Sequence, residues 1–370
     1  MAPEENPVQA QTAGSIKCNG CGANLTFEPG SSTLACQYCG AKNEIKTGPA
    51  HIEEIDFEKF LGEHQPEETL HEVNTVNCMN CGASTTLKPD VTSDCCPFCD
   101  TPLIVKNATS SKLIKPKYLL PFKIERKQAA NDYVKWLDSL WFAPGDLKQN
   151  AQRTMDKLAG VYLPFWTYDA DTNTDYTGER GTYYYVTETY TNSKGETETR
   201  EVQRIAWSFV SGSVDVNFDD VLVCASPSLP QNLSRALEPW DMESLKAFDE
   251  RFLSGFKTES YRVDLRSGFE TAKGLMKPGI QSRIQSDIGG DQQRISSMST
   301  KYDNITFKHI LLPVWISAYK YNDKVYHFMI NARTGEVQGE RPYSALKIAL
   351  AVLGGLAAIA AAIYIFGMNK

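Results

Sequence analysis

CNGCGANLTFEPGSSTLACQYC, residues 18–39, and CMNCGASTTLKPDVTSDCCPFC, residues 78–99, are two copies of one pattern. In each, fourteen residues separate two CxxC pairs, and the whole unit recurs after 60 residues. Gly-Ala follows the first pair both times, at Gly22-Ala23 and Gly82-Ala83. Equal spacing selects Cys96 over its neighbour Cys95. The ligand sets are therefore Cys18, Cys21, Cys36, Cys39 and Cys78, Cys81, Cys96, Cys99, with Cys95 a spare thiol. A CxxC turn brings two thiolates within reach of one tetrahedral ion, and two such knuckles close the coordination sphere. The pattern predicts two structural, non-catalytic Zn2+ ions. A module of about 30 residues is too small to hold a core unaided, so metal binding supplies much of its folding free energy.

Disulfides would use the same cysteines, but they need an oxidising compartment. The other end of the chain bears on that. From Ile348 to Met368 the sequence IALAVLGGLAAIAAAIYIFGM carries no charge. As a helix it spans roughly 31 Å, which matches a hydrocarbon core of about 30 Å. Arg333, Arg341 and Lys347 precede it and only Lys370 follows. This basic flank predicts a single-pass, C-terminal anchor in the cell membrane with the N-terminal bulk cytoplasmic. The N-terminus has neither the basic nor the apolar region of a signal peptide. Gly354 and Ala358 form a small-xxx-small pair through which two helices could approach in a homo-oligomer.

The formal net charge of -7 is unevenly spread. Residues 1–112 hold 7 Lys and no Arg against 15 Asp plus Glu, whereas residues 113–344 are nearly neutral. Each all-thiolate zinc site adds roughly two further negative charges. A nucleic-acid partner is disfavoured at so acidic a head, despite the ribbon type. The acidity centres on residues 51–72, where Ile52, Ile55, Phe60 and Leu61 follow near-helical spacing. That segment reads either as a solvated spacer with a short helix packed on a ribbon or as a docking segment for a partner protein. His51, His64 and His71 flank zinc sites that are already full, and read as surface histidines.

Residues 113–344 contain all six Trp and 15 of the 17 Tyr. A strand is expected near 116–125. A helix follows over 127–142, with Tyr133, Val134, Leu137, Leu140 and Trp141 on one face and Ala143-Pro144-Gly145 as its stop. A second helix is expected over 147–158. A long β region covers 161–225, with a hairpin tip at Asn192-Ser193-Lys194-Gly195 and separate strands near 197–215 and 218–225. Cys224 lies in an apolar run and reads as a core thiol. Helices are expected over 228–290, broken or kinked at Pro278-Gly279, and strands near 302–320, 324–331 and 335–339. One motif occurs three times, at Tyr118–Phe122, Tyr162–Trp166 and Ile310–Trp315, each with a proline in an apolar strand. It marks either duplicated β units or the recurrence of a common strand entry. No P-loop, GxGxxG, HExxH or GxSxG motif is present. Asp219-Asp220 reads as a solvated turn, and the aromatic residues as sheet core more than a ligand groove.

The ribbons, the stretch GVYLPFWTYDADTNTDYTGERG at 160–181 and NARTGEVQGERPYS at 331–344 before a terminal span carry a resemblance. The chain resembles bacterial membrane proteins described as TFIIB-type tandem zinc-ribbon proteins, similar to the zinc-ribbon membrane protein of Bacillus phage-shock/SPFH operons. Some relatives bear the name of primosomal helicase N′ through the ribbons alone; no helicase motif occurs here. The resemblance implies a membrane anchor or recruiter in an envelope-stress system, with an SPFH- or phage-shock-A-like cytosolic partner.

The expected fold is α+β: two N-terminal four-cysteine zinc ribbons, a large mixed antiparallel β-sheet/helix domain and one C-terminal transmembrane helix. The expected boundaries are a disordered N-terminus at 1–14, ribbons at 15–47 and 75–107 around an acidic linker at 48–74, the α+β domain at 113–344 and the span at 346–368. The expected role is a non-enzymatic membrane adaptor with no catalytic residues. A membrane-tethered nucleic-acid regulator and a ligand-binding or hydrolytic middle domain are the alternatives.

Overall fold

A computed structural model describes residues 16–46, 52–62, 70–80, 83–86, 93–99, 101–104, 109–147, 158–192, 195–228, 231–322 and 324–368. The expected disordered N-terminus, His51, His64, the side chain of His71, ligand Cys81 and all but the ends of the helix expected over 147–158 lie outside the described residues. The fold is mixed α+β, with two cysteine-rich modules, a nine-stranded sheet, five helices among the described residues, and an apolar helix at the C-terminal end.

Three strands dominate the sheet. β3 (Ala159–Thr191) and β4 (Thr197–Cys224) form one continuous antiparallel hairpin, and β7 (Gln292–Tyr321) pairs with the other edge of β3. The two strands expected over 197–225 are therefore one. The remaining strands are short: β1 (Ile55–Asp56), β2 (Tyr118–Leu119), β5 (Lys246–Ala247), β6 (Lys257–Thr258), β8 (Lys324–Asn331) and β9 (Val337–Gly339). The main order is β4-β3-β7-β2-β5, with β8 and β1 also on β7, β9 on β8 and β6 on β3. At about 3.3 Å per residue β3 is roughly 100 Å long.

The three proline motifs fall side by side. Tyr118 and Leu119 pair in parallel with Ile310 and Leu311, while Tyr162 and Pro164 oppose Pro313 and Leu311. The prolines carry no N–H, but their carbonyls are used: Pro164 accepts from Ala225 N–H and Pro313 from Ala332 N–H. Around them the aromatic residues are core. Tyr133 stacks on Phe328 at 3.6 Å and Phe122 on Phe256 at 3.9 Å, and Trp166 and Tyr162 are fully buried. Cys224 is buried as expected, and burial pushes its thiol up to about 12.

The long strands bend at one band. β3 slips register with both neighbours here, between Tyr168 and Ala170 against β4 and between Asp169 and Asp171 against β7, and on those strands Asp220 and Asn304 adopt left-handed φ values of 52° and 50°. Lys308 sits in the bend, 3% exposed, with its ammonium 2.8 Å from Asp220, 3.1 Å from Glu54 and 3.6 Å from Asp169. Beyond Gly181, which pairs with Gln292, β7 ends and β3 and β4 run on as a two-stranded arm to Thr191↔Thr197.

Of the helices, α1 (Phe57–Gly62) belongs to the acidic segment, and among the described residues its aromatic side chains pack on the large domain and not on a ribbon. Phe57 and Phe60 are buried against Phe307, Tyr168 and Phe269 of the large domain, and β1 pairs with Thr306 and Phe307. The near-helical apolar spacing thus serves the chain's own core. α2 (Arg126–Ser139) buries Ala129, Tyr133 and Leu137 but ends before Trp141. Leu140 leaves helical geometry (φ -82°, ψ 79°), so Trp141 swings off the predicted apolar face and is 80% exposed. α3 (Gln231–Ala236) is short.

α4 (Leu265–Ile288) runs unbroken through Pro278, contrary to the expected break. Its buried stripe, Leu265, Phe269, Ala272, Met276, Ile280, Ile284 and Ile288, continues past the proline in phase. The carbonyl that Pro278 leaves unpaired is that of Gly274, which is exposed and open to water. The helix also lies very close to the sheet: a Cβ at Gly268 would come within 2.3 Å of the Tyr168 hydroxyl.

α5 (Ala345–Met368) is long and apolar enough to cross a membrane from Ala345 to Tyr364. The stretch before it, 331–344, is a joint. Buried Asn331 donates to the Leu237 carbonyl at 2.8 Å, and Arg333 forks onto Asp241. Arg333 is thus turned into the protein, which leaves Arg341 and Lys347 as the basic residues at the helix base.

Candidate metal centres

The first ribbon is built on two equivalent turns. Cys18 N–H donates to Ala23 O and Cys36 N–H to Ala41 O, at 2.7 and 2.9 Å. Gly22 and Gly40 follow the second cysteine of each pair, with φ of 72° and 73°, a region closed to most side chains. Gly-Ala follows the first pair of each module; Gly40-Ala41 repeats it after a second pair and signals the same turn. Strands Thr26–Phe27, Thr33–Ala35 and Lys42–Glu44 join the turns in one antiparallel sheet.

This frame gathers Cys18, Cys21, Cys36 and Cys39, whose sulfurs all lie within 4.8 Å of one another. Cys18–Cys39 and Cys21–Cys36 are each 3.5 Å apart. A tetrahedron with metal–sulfur bonds of about 2.3 Å has edges of about 3.8 Å, whereas a disulfide needs about 2.05 Å. The arrangement fits one four-coordinate ion and no crosslink. The turn amides favour thiolates: the N–H groups of Cys39 and Tyr38 pull Cys36 down to about 6, and those of Cys21 and Gly20 lower Cys18.

In the second module Cys78, Cys96 and Cys99 come together on the same scale, with Cys78 and Cys99 3.5 Å apart. Cys78 N–H donates to Ala83 O at 2.8 Å, the counterpart of the Cys18 turn. Cys96 is buried within the group while Cys95 is exposed, as the equal spacing required. The strand Leu70–Asn77 begins inside the expected linker and pairs with both Ser84–Thr86 and Thr109–Ile114.

Both modules dock on one short segment that the sequence did not single out, residues 252–260. Phe27 meets Phe252 edge-on at 5.2 Å, Phe27 N–H donates to Ser254 O at 2.9 Å, and the Ser254 hydroxyl donates to Leu25 O at 2.6 Å. A few residues on, Lys257 donates to Asp94 and to Cys95 O at 2.9 and 2.6 Å. Glu259 bridges Thr85, and Ser260 bonds Ser84 and Thr86. β6, within this segment, pairs with Val161 and Tyr162 of β3.

Glu259 is itself buried. Its Oε1 accepts from Ser226 and Ser228 at 2.7 and 2.5 Å, and burial pushes its carboxyl up to about 7. A third group of possible ligands, Glu54, Asp169 and Asp219, lies in the bent band. Lys308 already supplies a cation there, bonded to Glu54 and Asp169, so this group reads as a carboxylate network around one buried lysine. Even so, burial holds Asp169 up at about 6.

Over 343 residues the chain is 28% identical to the uncharacterized protein YdjG of Bacillus subtilis (strain 168), an alignment that covers 90% of this chain and 92% of that protein. No family model matches. No solved structure matches either.

Proposed function

We propose that this chain is a non-enzymatic adaptor, held in the membrane by α5 and stiffened by two structural zinc ions, that presents its ribbons to a cytosolic protein. The observation that carries this reading is what the docked modules leave outside. Tyr38 and Met79, one on a knuckle of each module, are 83% and 88% exposed, while the opposite faces are buried on the large domain. Large apolar side chains on rigid, metal-tied turns are suited to protein contact. The acidic head favours a protein over a polyanion. The closed thiolate sites and the lack of a catalytic motif support a role without chemistry. The resemblance of the ribbons and of stretches 160–181 and 331–344 points to an SPFH- or phage-shock-A-like partner.

Because the second module shares the core of the large domain, deleting the ribbons would unfold more than it tests. The double variant Tyr38→Ala, Met79→Ala leaves that packing intact. Affinity capture from solubilised membranes should lose the partner recovered by the unaltered chain, with about two zinc ions per chain retained. Equal recovery by both proteins would sink the ribbon-docking role.

A further inference from the structure

The turn after α2 exposes Trp141 and half-exposes Phe142. It is tied to the base of α5. Ser344 N–H donates to Phe142 O at 2.8 Å, and the Lys347 ammonium donates to Trp141 O and Ala143 O at 3.3 and 2.8 Å. Ser344 in turn caps the helix, accepting from Lys347 N–H at its hydroxyl. Tyr343 is exposed beside it, with the Arg341 guanidinium 5.4 Å from its ring.

Length fixes the level of this cluster. The uncharged run 348–368 is just long enough for the hydrocarbon core. Lys347 therefore stands where hydrocarbon gives way to headgroups, and the Trp141 turn bonded to it stands there too. Indole and phenol rings are the side chains that this zone accepts best, and cationic groups suit its anionic lipids. A soluble protein has no comparable reason to leave a tryptophan almost fully exposed next to Phe142, Tyr343 and Leu346.

We infer that Trp141, Phe142 and Tyr343 form a second membrane contact, an aromatic collar that seats the large domain on the lipid headgroup layer beside α5. This rests on the reading of α5 as a membrane span. A helix alone would leave the domain free to swivel about the helix axis. The collar removes that freedom, so one side of the sheet, with its docked ribbons, keeps a fixed attitude to the bilayer.

Fluorescence of the full chain tests this in vesicles of phosphatidylethanolamine and phosphatidylglycerol containing phosphatidylcholine brominated either near the glycerol end or near the methyl end of its acyl chains. Subtracting the spectrum of Trp141→Phe isolates Trp141. Its emission should fall about twofold with the shallow bromine and less with the deep one, as for an interfacial ring. Leu356→Trp, made in the Trp141→Phe background, reports the span and should be quenched most by the deep bromine. If Leu356→Trp is quenched while Trp141 responds to neither lipid, the collar is wrong and the span stands. If neither responds, the span reading falls and the collar with it.

Discussion

The two cysteine modules share spacing, turn chemistry and a buried cysteine pair, yet they are tied into the chain differently. The first buries Cys18 and Cys36 in a cluster that also holds Leu25, Phe27, Tyr162 and Leu311, and leaves Cys21 and Cys39 exposed. The second buries Cys78 and Cys96 in a cluster that also holds Leu163, Phe165, Cys224 and Ile310. It also lies between two stretches that are themselves fixed on the sheet, β1 with α1 before it and β2 after it. Identical ligand sets therefore do different structural work. A metal in the first would order a module that precedes every strand of the large sheet, and one in the second a module threaded between two of them.

The sharpest way to break this contrast is to remove equivalent ligands. Cys96→Ser should cost about 5 kcal/mol or more and open the large domain, because metal binding and folding are one event and this module is threaded between β1 and β2. Cys36→Ser should unfold residues 16–46 alone. Hydrogen exchange across β3 and β7 in detergent distinguishes the outcomes, and equal protection in both variants would erase the asymmetry. Next in size is Phe27→Ala, which empties the main contact between the first ribbon and Phe252. A loss of about 3–5 kcal/mol is expected for a buried aromatic ring. The first module should detach while both ions remain, which limited proteolysis with zinc analysis would detect.

The smallest effect concerns pH at the second module. Glu259 has a folded value near 7, above its unfolded one of 4.5, so its neutral form is favoured by folding. Its contribution is complete below about pH 4.5 and is lost as pH rises through about 7, amounting to about 3 kcal/mol. Glu259→Gln should flatten that part of the stability profile. Thermal melts in zinc-replete detergent between about pH 5 and 8 would show whether the two slopes differ.

The cysteine groups were legible in the sequence because four thiolates that share one ion need a local spacing. The same holds for α5, whose uncharged run is its own signal, and for the hairpin tip ending at Gly195. What stayed hidden was set by distant partners. Ile55 and Phe60 carry the spacing of an amphipathic helix, but no local signal says that Phe307 lies beneath. Nothing near residue 257 announces Asp94. Pro278 is a breaker by local chemistry, and a solvent-facing Gly274 together with an in-phase buried stripe overrides it. Trp141 misled for the converse reason: it continues the apolar period of α2 one step beyond the point where the backbone leaves the helix.

The arm formed by β3 and β4 has a consequence of its own. Its ten residue pairs, Thr182↔Ala206 to Thr191↔Thr197, project about 33 Å past the last support from β7. The arm is held by cross-strand links such as Glu188 with Arg200 and Arg204, and Tyr190 with Glu198. The end of the sheet nearest α5 is the opposite one, where Ala159 meets Ile316 and Tyr321 bonds Asp146. The hairpin is thus a ruler graduated in even steps. Adding one residue to each strand at the base of the arm would turn its two faces over relative to the sheet while leaving those links paired, whereas adding two would keep the faces and carry the tip about 7 Å farther. Reach can change without turning the arm's faces over only in such two-residue increments.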